Sequence, residues 1–141
     1  MPLTRREILT KLPFGKRTVK LTVTGEMIRP ALKNGVSDVG NATGRFPKVS
    51  DLTLTEDLMR PVGQRVDNIT IAGEPLDPAA TYTLATSDYI AGGGDGYTVL
   101  EAETALLSAH DGKLMANDVM AYIAALKTVA PKVEGRIGLR I

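Results

Sequence analysis

Five segments of this chain alternate apolar and polar residues with the period of a half-buried strand, and three others keep helical spacing. They follow one another in irregular order, separated by Gly-, Pro- and Asp-rich turns, with no internal repeat and no linker. That pattern predicts an α+β fold: a single domain of mostly antiparallel or mixed β-sheets packed with helices. At 141 residues the chain is long enough to bury one core, so the domain is read as 1–141.

The helical segments carry start and stop signals. Thr4 and Glu7 form an S/T-x-x-E capping box, Ile8 and Leu12 share a face, and Pro13 ends the helix. Thr24 caps a second helix with Met27, Ile28, Ala31 and Leu32 on one face and Gly35 as a left-handed terminator. Pro30 fits badly inside it and predicts a kink or a late start. The third and longest helix runs behind Asn117 through Val119, Tyr122, Ile123, Leu126 and Ala130 to Pro131.

The strands are read at 17–23, 49–55, 65–72, around Tyr82–Thr86, and at the end, where Ile137, Leu139 and Ile141 alternate. Residues 36–46 lack periodicity and read as an exposed loop ending in Phe46. The segments LMRPVGQ and AGEPLDPAA read as turns.

Seventeen basic residues against sixteen acidic ones leave a net charge of +1, with the basic residues scattered rather than gathered along a stripe. This argues against nucleic acid as a partner. No apolar run approaches the roughly 20 residues a membrane-spanning helix needs, so no membrane contact is expected. Zero cysteines exclude thiolate chemistry and disulfides. The Met-Pro start directly before a capped helix reads as a fragment boundary rather than a mature terminus.

Candidate chemistry is sparse. His110 is the single histidine, which excludes a metal centre built on several imidazoles, and no clustered carboxylate motif suggests an oxygen-ligand site. A Ser-His-Asp triad would have to use His110, which lies in the turn-like SAHDGK, and no GxSxG elbow is present. No catalytic residue and no metal ligand is therefore assigned. The glycines at 92, 93, 94 and 96 lack the Lys and Ser/Thr of a phosphate loop, and positive φ in a tight reversal accounts for them. Phe46 and Tyr89 flank glycine-rich loops, where rings either stack on a flat ligand or pack at a rim. Asp95 accepts hydrogen bonds either from ligand hydroxyls or from its own turn.

The blocks GRFPKVS, VDNITIAGEPLDPAATYTLATSDYIAGGGDGYTVL and PKVEGRI, in that order and at matching intervals, resemble the 5'-nucleotidase C-terminal domain family. LPFGKRTVKLTVTGEMIRPALKNGVS is similar to that family's leading strand and helix, so the resemblance covers nearly the whole chain. It implies the substrate-binding half of a 5'-nucleotidase, UDP-sugar hydrolase or cyclic-nucleotide phosphodiesterase type of enzyme. In that family an N-terminal metallophosphoesterase domain, absent here, holds two divalent metal ions and cleaves phosphate.

Residue by residue, the resemblance matches Phe46 and Tyr89 to two aromatic positions that sandwich the base, and Asp95 to a carboxylate that holds the ribose. Gly93 and Gly94 join them as substrate-binding residues. Family arginines that reach the phosphate lie upstream of the first helix. A nucleoside or nucleotide ligand, the metallophosphoesterase domain as partner, no cofactor in this chain, and a periplasmic, secreted or cell-surface parent are all implied. The competing expectation is an interaction module anchored by Phe46 and Tyr89.

Overall fold

The computed structural model describes residues 2–101 and 104–141. In chain order its elements are α1 (Arg5–Lys11), β1 (Thr18–Thr24), α2 (Gly25–Gly35), β2 (Leu52–Asp57), β3 (Val66–Ile71), β4 (Glu74–Pro75), β5 (Thr81–Ser87), α3 (Asp88–Ala91), β6 (Thr104–Leu107), α4 (Met115–Leu126) and β7 (Ile137–Arg140). The strands sort into two sheets, in the orders β5-β1-β6 and β4-β3-β2-β7. Among the described residues all pairings are antiparallel except β2 with β7, which is parallel. The α+β expectation is met, with mixed pairing in the second sheet.

Alternation along β1 sends Val19, Leu21 and Val23 into the interior, while α2 turns Ile28, Ala31 and Leu32 toward them. Leu54, Val66 and Ile69 of the second sheet join the same cluster, closed by Tyr97 and Leu100. One core therefore runs from the first sheet through α2 to the second. Each large apolar side chain so buried contributes about 1.5–3 kcal/mol.

The late start that Pro30 suggested does not occur, and α2 runs from Gly25 through Pro30 to Gly35. The proline removes one mid-helix donor, whereas the helix start is held from outside: Gly25 N donates to Ala80 O and Glu26 N to Pro78 O, both at 3.0 Å. Thr24 makes no side-chain cap, because the DPAA turn supplies the acceptors instead. Gly35 is not a left-handed terminator either. A Cβ there would lie 2.7 Å from Tyr97 Oη and 2.8 Å from Pro47 Cδ, so glycine is required for close approach.

Other expectations shift. The 36–46 segment is not a plain exposed loop, since Val36 is buried and residues 39–41 form a 3-10 turn. α4 starts at Met115, without a side-chain cap from Asn117, and ends when Lys127 takes a left-handed φ of 65°. β6 falls in a stretch without clear periodicity, and β4 lies inside a segment read only as a turn. β7 forms an edge of its sheet, with Leu139 and Ile141 exposed.

Candidate functional site

The antiparallel register of β1 with β5 pairs Thr18 with Ser87, so residues preceding β1 and residues following β5 emerge side by side at one end of the sheet. Arg17 N donates to Asp88 Oδ1 at 3.1 Å, and Asp88 N donates back to Arg17 O at 2.9 Å. Ser87 caps α3 by accepting from Ile90 N. This clasp brings Phe14, three residues before Arg17, to the neighbourhood of Tyr89, one residue after Asp88.

Both rings are open to solvent, Phe14 at 80% and Tyr89 at 46% of their full exposure. The Lys16 ammonium stands over both, 5.4 Å from the Phe14 centroid and 4.6 Å from the Tyr89 centroid. The two centroids are therefore at most about 10 Å apart. Sequence reasoning misses Phe14, which follows Pro13 as the tail of a helix. Its signal lies in the strand pairing, which places the LPFGK segment beside SDYIA.

The glycine cluster shapes the floor of this region. Gly93 (φ 90°), Asp95 (φ 54°) and Gly96 (φ 84°) take left-handed backbone, and the chain doubles back beneath Tyr89. A Cβ on Gly94 would lie 2.5 Å from Tyr89 Cζ and 2.6 Å from both Cε atoms, so the bare backbone packs against the ring face. A Cβ on Gly93 would run into the Glu101 carboxylate. Tyr89 Oη donates to Asp95 Oδ1 at 2.9 Å, tying ring to carboxylate. Asn34 Nδ2 donates to Asp95 O at 3.0 Å, which anchors the turn to α2.

A second loop reaches the same carboxylate. Gly44 lies beside Asp95, whose Oδ2 would be 3.3 Å from a Cβ at 44. The buried Tyr97 hydroxyl donates to Arg45 O at 2.6 Å and pins this loop down. Burial, then the Asp95 charge, push the Tyr97 phenol up to about 12, with Arg45 opposing, so it is a neutral donor at any ordinary pH. Phe46 follows directly, but it is partly buried against the core cluster, with the Lys48 ammonium 5.5 Å above its ring. Tyr89, Asp95, Gly93 and Gly94 thus form one constellation, with Gly44, two residues before Phe46, against the Asp95 carboxylate.

Two cavities lie nearby. A groove of about 420 Å³ between the end of α1 and the start of α4 is lined by Leu9, Leu12, Phe14, Lys16, Leu114 and Met115. A smaller one of about 230 Å³ lies against Val19, Leu21, Asp88 and Glu101. Neither is lined by Tyr89, Asp95 or Phe46. Among the described residues no group of three or more His, Asp or Glu converges as a metal site. His110 is exposed in its turn, and Ser108 Oγ donates to Asp111 rather than to the histidine. No described helix is long and apolar enough to cross a membrane.

Two sheets joined through α2, with a glycine-rich turn carrying Tyr89 and Asp95, define a domain of the 5'-nucleotidase C-terminal type. The family "5'-nucleotidase, C-terminal domain" matches residues 2–102, and the chain belongs to it. It is 37% identical over 138 residues to a 5'-nucleotidase of Diplobatis ommata, covering 92% of this chain and 24% of that protein. Against the trifunctional nucleotide phosphoesterase protein YfkN of Bacillus subtilis (strain 168) it is 35% identical over 144 residues, 96% of this chain and 10% of that one. The crystal structure of a 5'-nucleotidase precursor from Thermus thermophilus superposes with a TM-score of 0.91 at 38% identity, covering 99% of this chain and 28% of that one. The chain thus spans little more than a quarter, or less, of the length of these relatives.

Proposed function

We propose that this chain is the nucleoside-binding specificity domain of a 5'-nucleotidase-type phosphohydrolase. The observation that supports this reading most is a single ammonium standing over two exposed rings, Phe14 and Tyr89, beside the Asp95 carboxylate. Rings facing one point suit a flat base, and a carboxylate hydrogen-bonded at their edge suits ribose hydroxyls. In this reading Phe14 is the second ring of the clamp. Phe46, the residue to which the sequence points, instead supports the loop that faces Asp95.

Hydrolysis belongs to a metallophosphoesterase domain holding two divalent metals elsewhere in the parent protein, and this chain alone turns over no nucleotide. The binding domain then acts by presenting the phosphate in line with those metals, a positioning effect that can supply several kcal/mol of the barrier. By the same analogy the parent is exported, to the periplasm, the cell surface or the medium. A second reading, an interaction surface, is favoured by the exposed apolar side chains Tyr122 and Leu126 of α4, Leu139 of β7 and Ile141 just after it.

Titrating the labelled chain with inosine and adenosine while following backbone amide shifts tests the proposal. Saturable shifts at Tyr89, Gly94 and Asp95, weakened about tenfold by Phe14→Ala and by Tyr89→Ala but not by Phe46→Ala, are expected. Loss of binding in Phe46→Ala with Phe14→Ala unaffected would return the clamp to Phe46. Silence at millimolar nucleoside would remove the proposal and leave the interaction surface.

A further inference from the structure

Lys16 has no carboxylate partner within ion-pair distance among the described residues. Its ammonium instead occupies the space over Phe14 and Tyr89 where the proposed base would lie. Its backbone is firmly held: Lys16 O accepts from Met115 N at 2.8 Å, Thr18 N donates to Lys113 O at 3.0 Å, and Arg17 bridges to Leu114. A base entering between the rings must push the ammonium aside, yet the anchored main chain and the four-carbon stem keep it at the rim of the slot. A cation held at that rim would meet the edge of a base stacked on the rings.

We infer that Lys16 reads that edge and biases the site toward bases with two adjacent hydrogen-bond acceptors, guanine and hypoxanthine, over adenine. The inference rests on the nucleoside reading above. An ammonium carries three donors and no acceptor, so it is matched by a base edge with neighbouring O6 and N7 acceptors. Adenine offers N7 beside an amino group, and that second donor faces the ammonium unpaired. Asp95 stands at Tyr89 Oη with the opposite charge, so the acidic and basic ends of the slot discriminate sugar from base. The cost of moving Lys16 off the two rings is the same for every nucleoside, so it cancels from the ratio of affinities.

The test is the dissociation constants of guanosine, inosine and adenosine for this chain and for its Lys16→Met and Lys16→Arg variants. Methionine keeps the apolar stem without the charge, and arginine keeps the charge. Guanosine and inosine are expected to bind roughly tenfold more tightly than adenosine, with the preference retained in Lys16→Arg and reduced to about twofold or less in Lys16→Met. A wild-type chain without preference, or a Lys16→Met chain that keeps it, overturns the inference. If binding still depends on Phe14 and Tyr89 in those cases, the nucleoside reading stands without it. If no nucleoside binds, or Phe14→Ala and Tyr89→Ala change nothing, both fall together.

Discussion

An alanine at position 94 would place its methyl carbon 2.5 Å from Tyr89 Cζ, about 1 Å inside the separation of about 3.5–4.0 Å at which carbon atoms pack. The ring has to retreat by that amount or more. Overpacking in a closed core costs about 1–3 kcal/mol, but Tyr89 is nearly half exposed and retreats into solvent, which puts the cost at the low end, about 1 kcal/mol. The retreat also breaks the 2.9 Å hydrogen bond to Asp95, whose loss is largely made good by water. The melting temperature of Gly94→Ala should therefore fall by only about 2–8 °C. Ligand affinity should suffer more, because a displaced ring forfeits up to about 1–3 kcal/mol of stacking, equivalent to a roughly 5- to 150-fold higher Kd. Thermal melts, nuclear Overhauser contacts between residue 94 and the Tyr89 ring, and an inosine titration read the three quantities. Wild-type ring contacts together with unchanged affinity would refute the close approach on which the argument depends.

Glu56 is 2% exposed with Oε1 unpartnered, and burial raises its carboxyl above the ordinary 4.5 against the pull of Arg65. The folded state then holds its proton more tightly than the unfolded chain, so this stability contribution is complete below about 4.5 and is lost as pH rises through the folded value. Urea unfolding of Glu56→Gln should show a flatter dependence on pH than wild type above 4.5, and equal slopes would contradict the burial argument. Tyr97, pushed up to about 12, should be the last of the four tyrosines to ionise in an absorbance titration, with that late phase missing from Tyr97→Phe. Its contribution is complete below 10 and is lost as pH rises through about 12. Gly35→Ala drives a methyl into Tyr97 Oη and Pro47, both packed in place, and should destabilise the fold by about 1–3 kcal/mol in chemical denaturation. An unchanged midpoint would show that the contact is looser than described.

Local rules read well from the sequence. Thr4 and Glu7 do form both halves of their capping box, and β1 buries every second residue as its alternation requires. What failed depended on partners distant in sequence. The start of α2 is held by the Pro78 and Ala80 carbonyls rather than by the Thr24 side chain, and Gly35 is glycine because Tyr97 and Pro47 arrive there. Glu56 lies one residue beyond the strand read at 49–55, on the same face as Leu52 and Leu54, and β3 and β7 flank it in the buried interior. The candidate site divides in the same way. Tyr89, Asp95 and the glycines are neighbours along the chain and are visible together, whereas Phe14 joins them only through the pairing of β1 with β5.

The parallel pairing of β7 with β2 has a kinetic consequence. Leu54 finds its partner Ile137 only after the rest of the first sheet and α4 have been laid down between them, so the second sheet closes across a very long loop. Such pairings are slow, and until this one forms β2 offers bare amides and carbonyls beside the half-made core. During synthesis the chain passes through a window in which β2 is an open template for other chains, and that window shuts only when the strand ending at Arg140 docks.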